Sequence, residues 1–155
     1  MRTIQDFQQA IDIDPSYERA DTAMSSVFNS QGQYDDAART AEREVSLDPK
    51  AWQGYFELAK AMLGKGLYQK ALQIANRAEG IAPGGIASIH LLKAYAMVPL
   101  NLYKDAETEL QAFLSDAPRN QDILSVKVLL ARVQSKMTAT PGAQTATPGL
   151  ALVDH

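Results

Sequence analysis

The chain has 155 residues, 46% hydrophobic and 21% charged, the make-up of one globular domain with a real core. A formal net charge of -3 argues against a nucleic-acid binder, and no apolar run approaches the roughly 18 residues that would span a bilayer. The absence of cysteine removes disulfides, thiolate metal sites and cysteine nucleophiles. The N-terminal MRTIQDFQQAIDIDP is too mixed in charge and amide for a signal peptide, which favours the cytoplasm without fixing the compartment.

The first expected element is a helix within residues 3–15, with Phe7, Ala10 and Ile11 on one face and Pro15 as its stop. From there the chain repeats. Prolines fall at Pro15, Pro49, Pro83 and Pro118, spaced 34, 34 and 35. Tyr34, Tyr68 and Tyr103 keep the same period, with Ala37, Ala71 and Ala106 three places later, and Gly32 and Gly66 precede the first two tyrosines. Between these ladders the apolar spacing is helical: Tyr55, Leu58, Ala59 and Met62 line one face, and Ala71, Ala75 and Ala78 line another after a turn. Three units are expected, at about 16–51, 52–85 and 86–120, each two antiparallel helices joined by a tight turn and closed by proline.

This pattern resembles the tetratricopeptide repeat. Trp52 to Gly85 carries it nearly throughout, through Tyr55, Leu58, Ala59, Met62, Gly66, Tyr68, Ala71, Ala75, Ala78 and Pro83. The first unit keeps Met24, Ser25, Phe28, Gly32, Tyr34, Ala37 and Pro49, but has Asp21 where an aromatic is usual and Glu44 where Ala is usual. The third keeps Tyr103, Ala106 and Pro118 and lacks the turn glycine. The resemblance implies an all-α, right-handed superhelical solenoid over residues 1–137. Residues 3–15 are then a half-repeat, 121–137 a closing helix, and 138–155 a disordered tail built on a doubled TATPG.

The third unit holds one extra residue, which is expected in the turn MVPLNLY because loops absorb insertions. That register puts Ile89, Leu92 and Ala96 in the core and Ala87, His90, Ala94 and Met97 toward the inner wall. An insertion in the Pro83–Gly85 linker would instead bury His90, Ala94 and Met97 and turn Leu91, Tyr95 and Val98 inward. In the closing helix, Ile123, Val126, Leu130, Val133 and Met137 are expected to face in, leaving a wetter outer side. The N-terminal half-repeat is consistent with a longer array, a cap, or a homo-oligomer in which another copy completes it.

No catalytic pattern emerges. His90 and His155 lack zinc-ligand spacing, and Asp35 and Asp36 suit a helix's first turn better than a cation site. Phosphate loops and nucleophile elbows are missing too, so neither enzyme, metal nor cofactor is expected. The resemblance instead implies a protein-interaction scaffold that binds a peptide or partner protein. Its groove positions fall at Arg19, Thr22, Ser26, Asn29, Gln53, Phe56, Lys60, Leu63 and His90. The wall grades from polar to apolar, and Phe56 is expected either as a groove anchor or packed on an adjoining helix. Members that clamp the carboxylates of chaperone tails use positions held here by Thr22, Ala23, Ser26, Gln53 and Glu57, and Glu57 would repel such a ligand. The alternatives are a spacer or self-assembly segment of a larger protein, or a regulatory domain of an enzyme.

Overall fold

A computed structural model describes residues 4–13, 18–117, 119 and 122–139. Among them run eight α-helices: α1 (Ile4–Ile13), α2 (Glu18–Ser30), α3 (Tyr34–Leu47), α4 (Trp52–Gly64), α5 (Tyr68–Ile81), α6 (Ala87–Met97), α7 (Tyr103–Asp116) and α8 (Ile123–Ala139). The side chains of Phe7, Ala10, Ile11 and Arg19 and the whole of 140–155 lie outside the described residues. Helices α2, α4 and α6 each pair with the next helix, and each pair stacks on the one before, so α3 meets α4, α5 meets α6 and α7 meets α8. Helix α1 packs on α2, and among the described residues it has no first helix of its own.

Two local devices produce the repeat. The first is the turn. Gly32 and Gly66 sit at φ 76 and 77, where a side chain would be strained. The amide after each reaches back to a carbonyl in the helix, Gln33 N to Phe28 O at 2.9 Å and Leu67 N to Met62 O at 2.9 Å, in the hydrogen-bond pattern of a left-handed helix terminus. The third turn repeats it without glycine: Asn101 takes φ 60, and Leu102 N reaches Met97 O at 3.1 Å. A short 3-10 turn, Val98–Leu100, carries α6 into it. The second device is the small residue. Ala37, Ala41, Ala71, Ala75, Ala78 and Ala106 are fully buried, because only a methyl group lets paired helix axes come so close.

Asn101 relocates the extra residue of the third unit. From the N-cap Ala51 to Gly66 is the same distance in sequence as from the N-cap Ile86 to Asn101, so helix and turn have equal length in both units. The insertion therefore lies in the Pro83–Gly85 linker, where Gly85 adopts φ 80, and not in the turn as the sequence suggested. The physical reason is phase. A residue added within a helix rotates everything beyond it by about 100°, whereas one added between helices leaves both faces intact.

Helix α6 is consequently buried on two sides. Ile89, Leu92 and Ala96 are buried as expected, yet so are Lys93, Ala94 and Met97, the counterparts of Leu58, Ala59 and Met62. Helix α7 compensates with larger residues, Leu110 and Phe113, where α5 has Ala75 and Ala78. In α8, Val126 and Val133 are buried while Ile123, Leu130 and Met137 are half-buried. Its outer side differs from the expected wet face, because Leu124 and Val128 stand in solvent.

Candidate functional site

The inner wall, made by α2, α4 and α6, carries two adjoining hollows. One, of about 480 Å³, is lined by Asn29, Phe56, Lys60, Leu63, Leu91 and Tyr95 among others. The second, of about 640 Å³, is lined by Thr22, Ser26, Glu44, Asp48, Lys50, Gln53 and Glu57 with neighbouring alanines. They meet at one hydrogen-bonded pair: Asn29 Nδ2 donates to Glu57 Oε2 at 2.9 Å and to the Glu57 carbonyl at 3.0 Å. The two bonds fix which way the amide faces. They leave Asn29 Oδ1 buried without a hydrogen-bond partner at the junction.

Among the described residues, the first hollow is mainly apolar, with Lys60 as its cation and Asp122 at its edge. Phe56 is half-buried and meets Trp52 edge-on, with centroids 6.1 Å apart, while Lys60 Nζ lies 5.5 Å from the Phe56 ring centre. Lys60 also pairs with Glu57 at 3.4 Å. Tyr95 is the most exposed aromatic lining residue; burial, with the Asp122 carboxylate adding to it, pushes its phenol above the usual value, so it remains a neutral donor. The second hollow is acidic. Among the described residues, Glu44, Asp48 and Glu57 share it with Lys50 as the cation, and Thr22 donates its hydroxyl proton to Glu44.

Of the sequence-derived groove positions, Asn29, Phe56, Lys60 and Leu63 thus share one hollow, and Thr22, Ser26 and Gln53 share the other. His90 belongs to neither and is a correction. The linker insertion turns it toward α7, where Nδ1 lies 2.7 Å from Glu109 Oε2 and Nε2 lies 3.4 Å from Asp116 Oδ2. Leu91 and Tyr95, which the alternative register had turned inward, take the groove face in its place. Beside His90, the buried Lys93 joins Glu79 at 2.6 Å and Glu109 at 2.7 Å. Burial pulls the Lys93 ammonium down, but the two carboxylates outweigh it and hold it above the ordinary lysine value.

The first unit resolves its own departures in the same way. Asp21, in the position of Tyr55, is fully buried against Arg43 Nε at 3.2 Å; in the second unit the equivalent Arg77 lies over the Tyr55 ring at 5.1 Å. Burial raises the Asp21 carboxyl above its usual value, with Arg43 offsetting only part of the effect. Among the described residues, no group of three or more His, Cys, Asp or Glu is placed to hold a metal ion. None of the described helices is long and apolar enough to cross a membrane.

Residues 23–86 match the family model of the tetratricopeptide repeat. Curated proteins give no sequence match. Solved structures do match in fold. The first TPR domain of human RPAP3 aligns with TM-score 0.74 at 16% identity, covering 83% of this chain and 98% of that one. A thermophilic TPR protein of Thermus thermophilus gives 0.71 at 22% identity, covering 86% and 72%. The first TPR of Spaghetti (RPAP3), bound to the HSP90 peptide SRMEEVD, gives 0.71 at 16%, covering 78% and 93%. With the ladder of turns and buried alanines already described, these matches give the chain the fold of tetratricopeptide-repeat domains, an all-α solenoid of stacked helix pairs, with residues 23–86 matching the repeat's own family model.

Proposed function

We propose that this protein is a non-catalytic scaffold whose inner wall takes a peptide segment of a partner protein, with a basic side chain at one end and apolar side chains at the other. The observation that carries the reading is the junction at Asn29. The Asn29–Glu57 pair there divides an apolar hollow from an acidic one, so a ligand laid across it meets both chemistries. Glu44, Asp48 and Glu57 favour Lys or Arg on one side of that bond, and Phe56, Leu63, Leu91 and Tyr95 favour Leu or Phe on the other. The Spaghetti domain holds SRMEEVD, a peptide with acidic residues near its C-terminus. Three carboxylates facing such a ligand here would repel it.

A peptide-library selection against the protein tests this, run beside a Phe56→Glu, Lys60→Glu variant of unchanged circular dichroism. The expected consensus pairs Arg or Lys with Leu or Phe and disappears on the variant. Phe56→Ala should cost about 2 kcal/mol of binding with little change in melting temperature. Equal affinity for SRMEEVD and a basic-apolar peptide would refute the charge assignment. Failure of any peptide to enrich would favour the spacer reading.

A further inference from the structure

Helix α7 carries Glu109, Phe113 and Asp116 on one stripe, since steps of four and three residues return to the same helix face. Phe113, 1% exposed, belongs both to the core and to the lining of the apolar hollow. His90 of α6 meets the two carboxylates that flank it. The ring's Nδ1 lies 2.7 Å from Glu109 Oε2, and its Nε2 lies 3.4 Å from Asp116 Oδ2. Glu109 engages the Lys93 ammonium through its other oxygen at 2.7 Å, so as a carboxylate it can only accept, and Nδ1 must carry the hydrogen between them. A neutral ring would then turn the bare lone pair of Nε2 toward the Asp116 carboxylate. A second proton makes that approach attractive instead.

We propose that His90 is a proton-operated bolt: as the imidazolium it pins α7 to α6 on either side of Phe113. Without the proton it lets Asp116 go and loosens the floor of the apolar hollow. The charges that face the ring favour the proton. Glu109 and Asp116 come from α7, Glu79 shares a small hollow with the ring from α5, and Lys93 stands on α6 itself. Helix α4 meets α6 through Phe56, Ala59 and Leu92, an apolar contact, and the turn Val98–Leu100 has no ionisable side chain. With the ring neutral, these three carboxylates face one ammonium; with it charged, they face two cations. Asp116 also ends α7, where that helix has no basic residue to offset the negative end of its dipole. The first turn of α6 opposes a charged ring with about half an elementary charge, less than two carboxylates supply. The bolt stands apart from the inner-wall reading; only its effect on a ligand rests on that reading.

Imidazole nitrogen shifts followed by NMR from about pH 5 to about pH 8.5 span the range in which histidines titrate and read the ring directly. His90 is the signal that a His90→Gln variant lacks, which separates it from His155. In Asp116→Asn the ring should give up its second proton at lower pH than in the parent. Stability has a fixed sign: a charged ring that gains partners on folding contributes fully at the acid end and progressively less as pH rises. The urea midpoint of the parent should therefore exceed that of His90→Gln at about pH 5.5 and approach it by about pH 8.5. The capped peptide acetyl-Arg-Ala-Ala-Leu-Phe-amide has no group that titrates in this range. Its affinity should fall about threefold or more across it for the parent and stay level for His90→Gln. A ring that Asp116→Asn leaves unmoved, or a midpoint gap constant with pH, would overturn the bolt. Peptide affinity level with pH in the parent would overturn its hold on the hollow. No binding of the peptide at any pH would count against the inner-wall reading, while the ring and the urea midpoints still decide the bolt.

Discussion

Replacing Lys93 by leucine, the residue its counterpart Leu58 provides, should destabilise the protein even though it restores the family pattern. Lys93 has a side chain only 9% exposed and bridges Glu79 and Glu109; Glu79 is 40% exposed, but Glu109 is 14% exposed. Removing the ammonium lets Glu79 return to water and strands Glu109 with His90 as its remaining partner. Breaking a buried pair from one side typically costs 3–5 kcal/mol, and since one carboxylate resolvates, the expected loss here is about 3 kcal/mol. Glu109 occupies the position of Ile74, so Lys93→Leu combined with Glu109→Ile rebuilds the apolar contact of the second unit. The double variant should recover to within about 1 kcal/mol of the parent or exceed it, with a coupling of about 2–3 kcal/mol. Urea unfolding followed by circular dichroism, at constant m-value, measures all four corners. A single-variant loss under about 1 kcal/mol, or zero coupling, would mean the cluster behaves as a surface ion pair and would refute the argument. The linkage has a sign of its own. The folded lysine value is raised above 10.5, so its contribution is full below that pH and is lost as pH climbs through the folded value; the Leu variant should lack that alkaline limb.

The buried Asp21 carboxyl is raised above 3.8, so the parent should lose stability relative to Asp21→Asn as pH rises from about 3.8 through the folded value, then hold a constant difference; a flat difference across that window by urea titration would contradict it. Asn101 at φ 60 should tolerate Gly within about 0.5 kcal/mol, whereas Asn101→Val should cost about 1–2 kcal/mol in thermal unfolding; equal stabilities would mean the turn relaxes. A methyl group at Gly64 would stand 2.2 Å from Tyr34 Cε1, so Gly64→Ala should cost about 1–3 kcal/mol by denaturation, against near neutrality at the open Gly80.

Much of the fold was legible because the ladders encode local geometry. Proline stops a helix, glycine permits a left-handed turn and alanine sets a helix-to-helix distance, each within a few residues of where it stands. The misplaced insertion came from reading the third ladder without its last rung. Asn101 stands two residues before Tyr103 as Gly66 does before Tyr68, and asparagine is the residue after glycine that most readily takes positive φ. Counting it would have confined the extra residue to the stretch after Pro83, and helix phase would then have chosen the linker. The site was less legible. Asn29, Phe56, Lys60 and Leu63 follow from helical spacing alone, but His90 and Lys93 depend on partners from α5 and α7 that only packing brings together. A histidine and a lysine where an aromatic and a leucine are usual were the available signal that carboxylates had to be waiting.

The Pro83–Gly85 linker, exposed along its length, already accommodates one more residue than the corresponding link between the first two units, with both neighbouring helix pairs intact. It is a seam in the chain, a place where length is uncoupled from phase. A protease site, an epitope or a fluorescent probe let in between Gly84 and Gly85 would lengthen the joint without rotating either side of it. The two halves of the solenoid could then be cut, labelled or spliced to foreign repeats as separate parts.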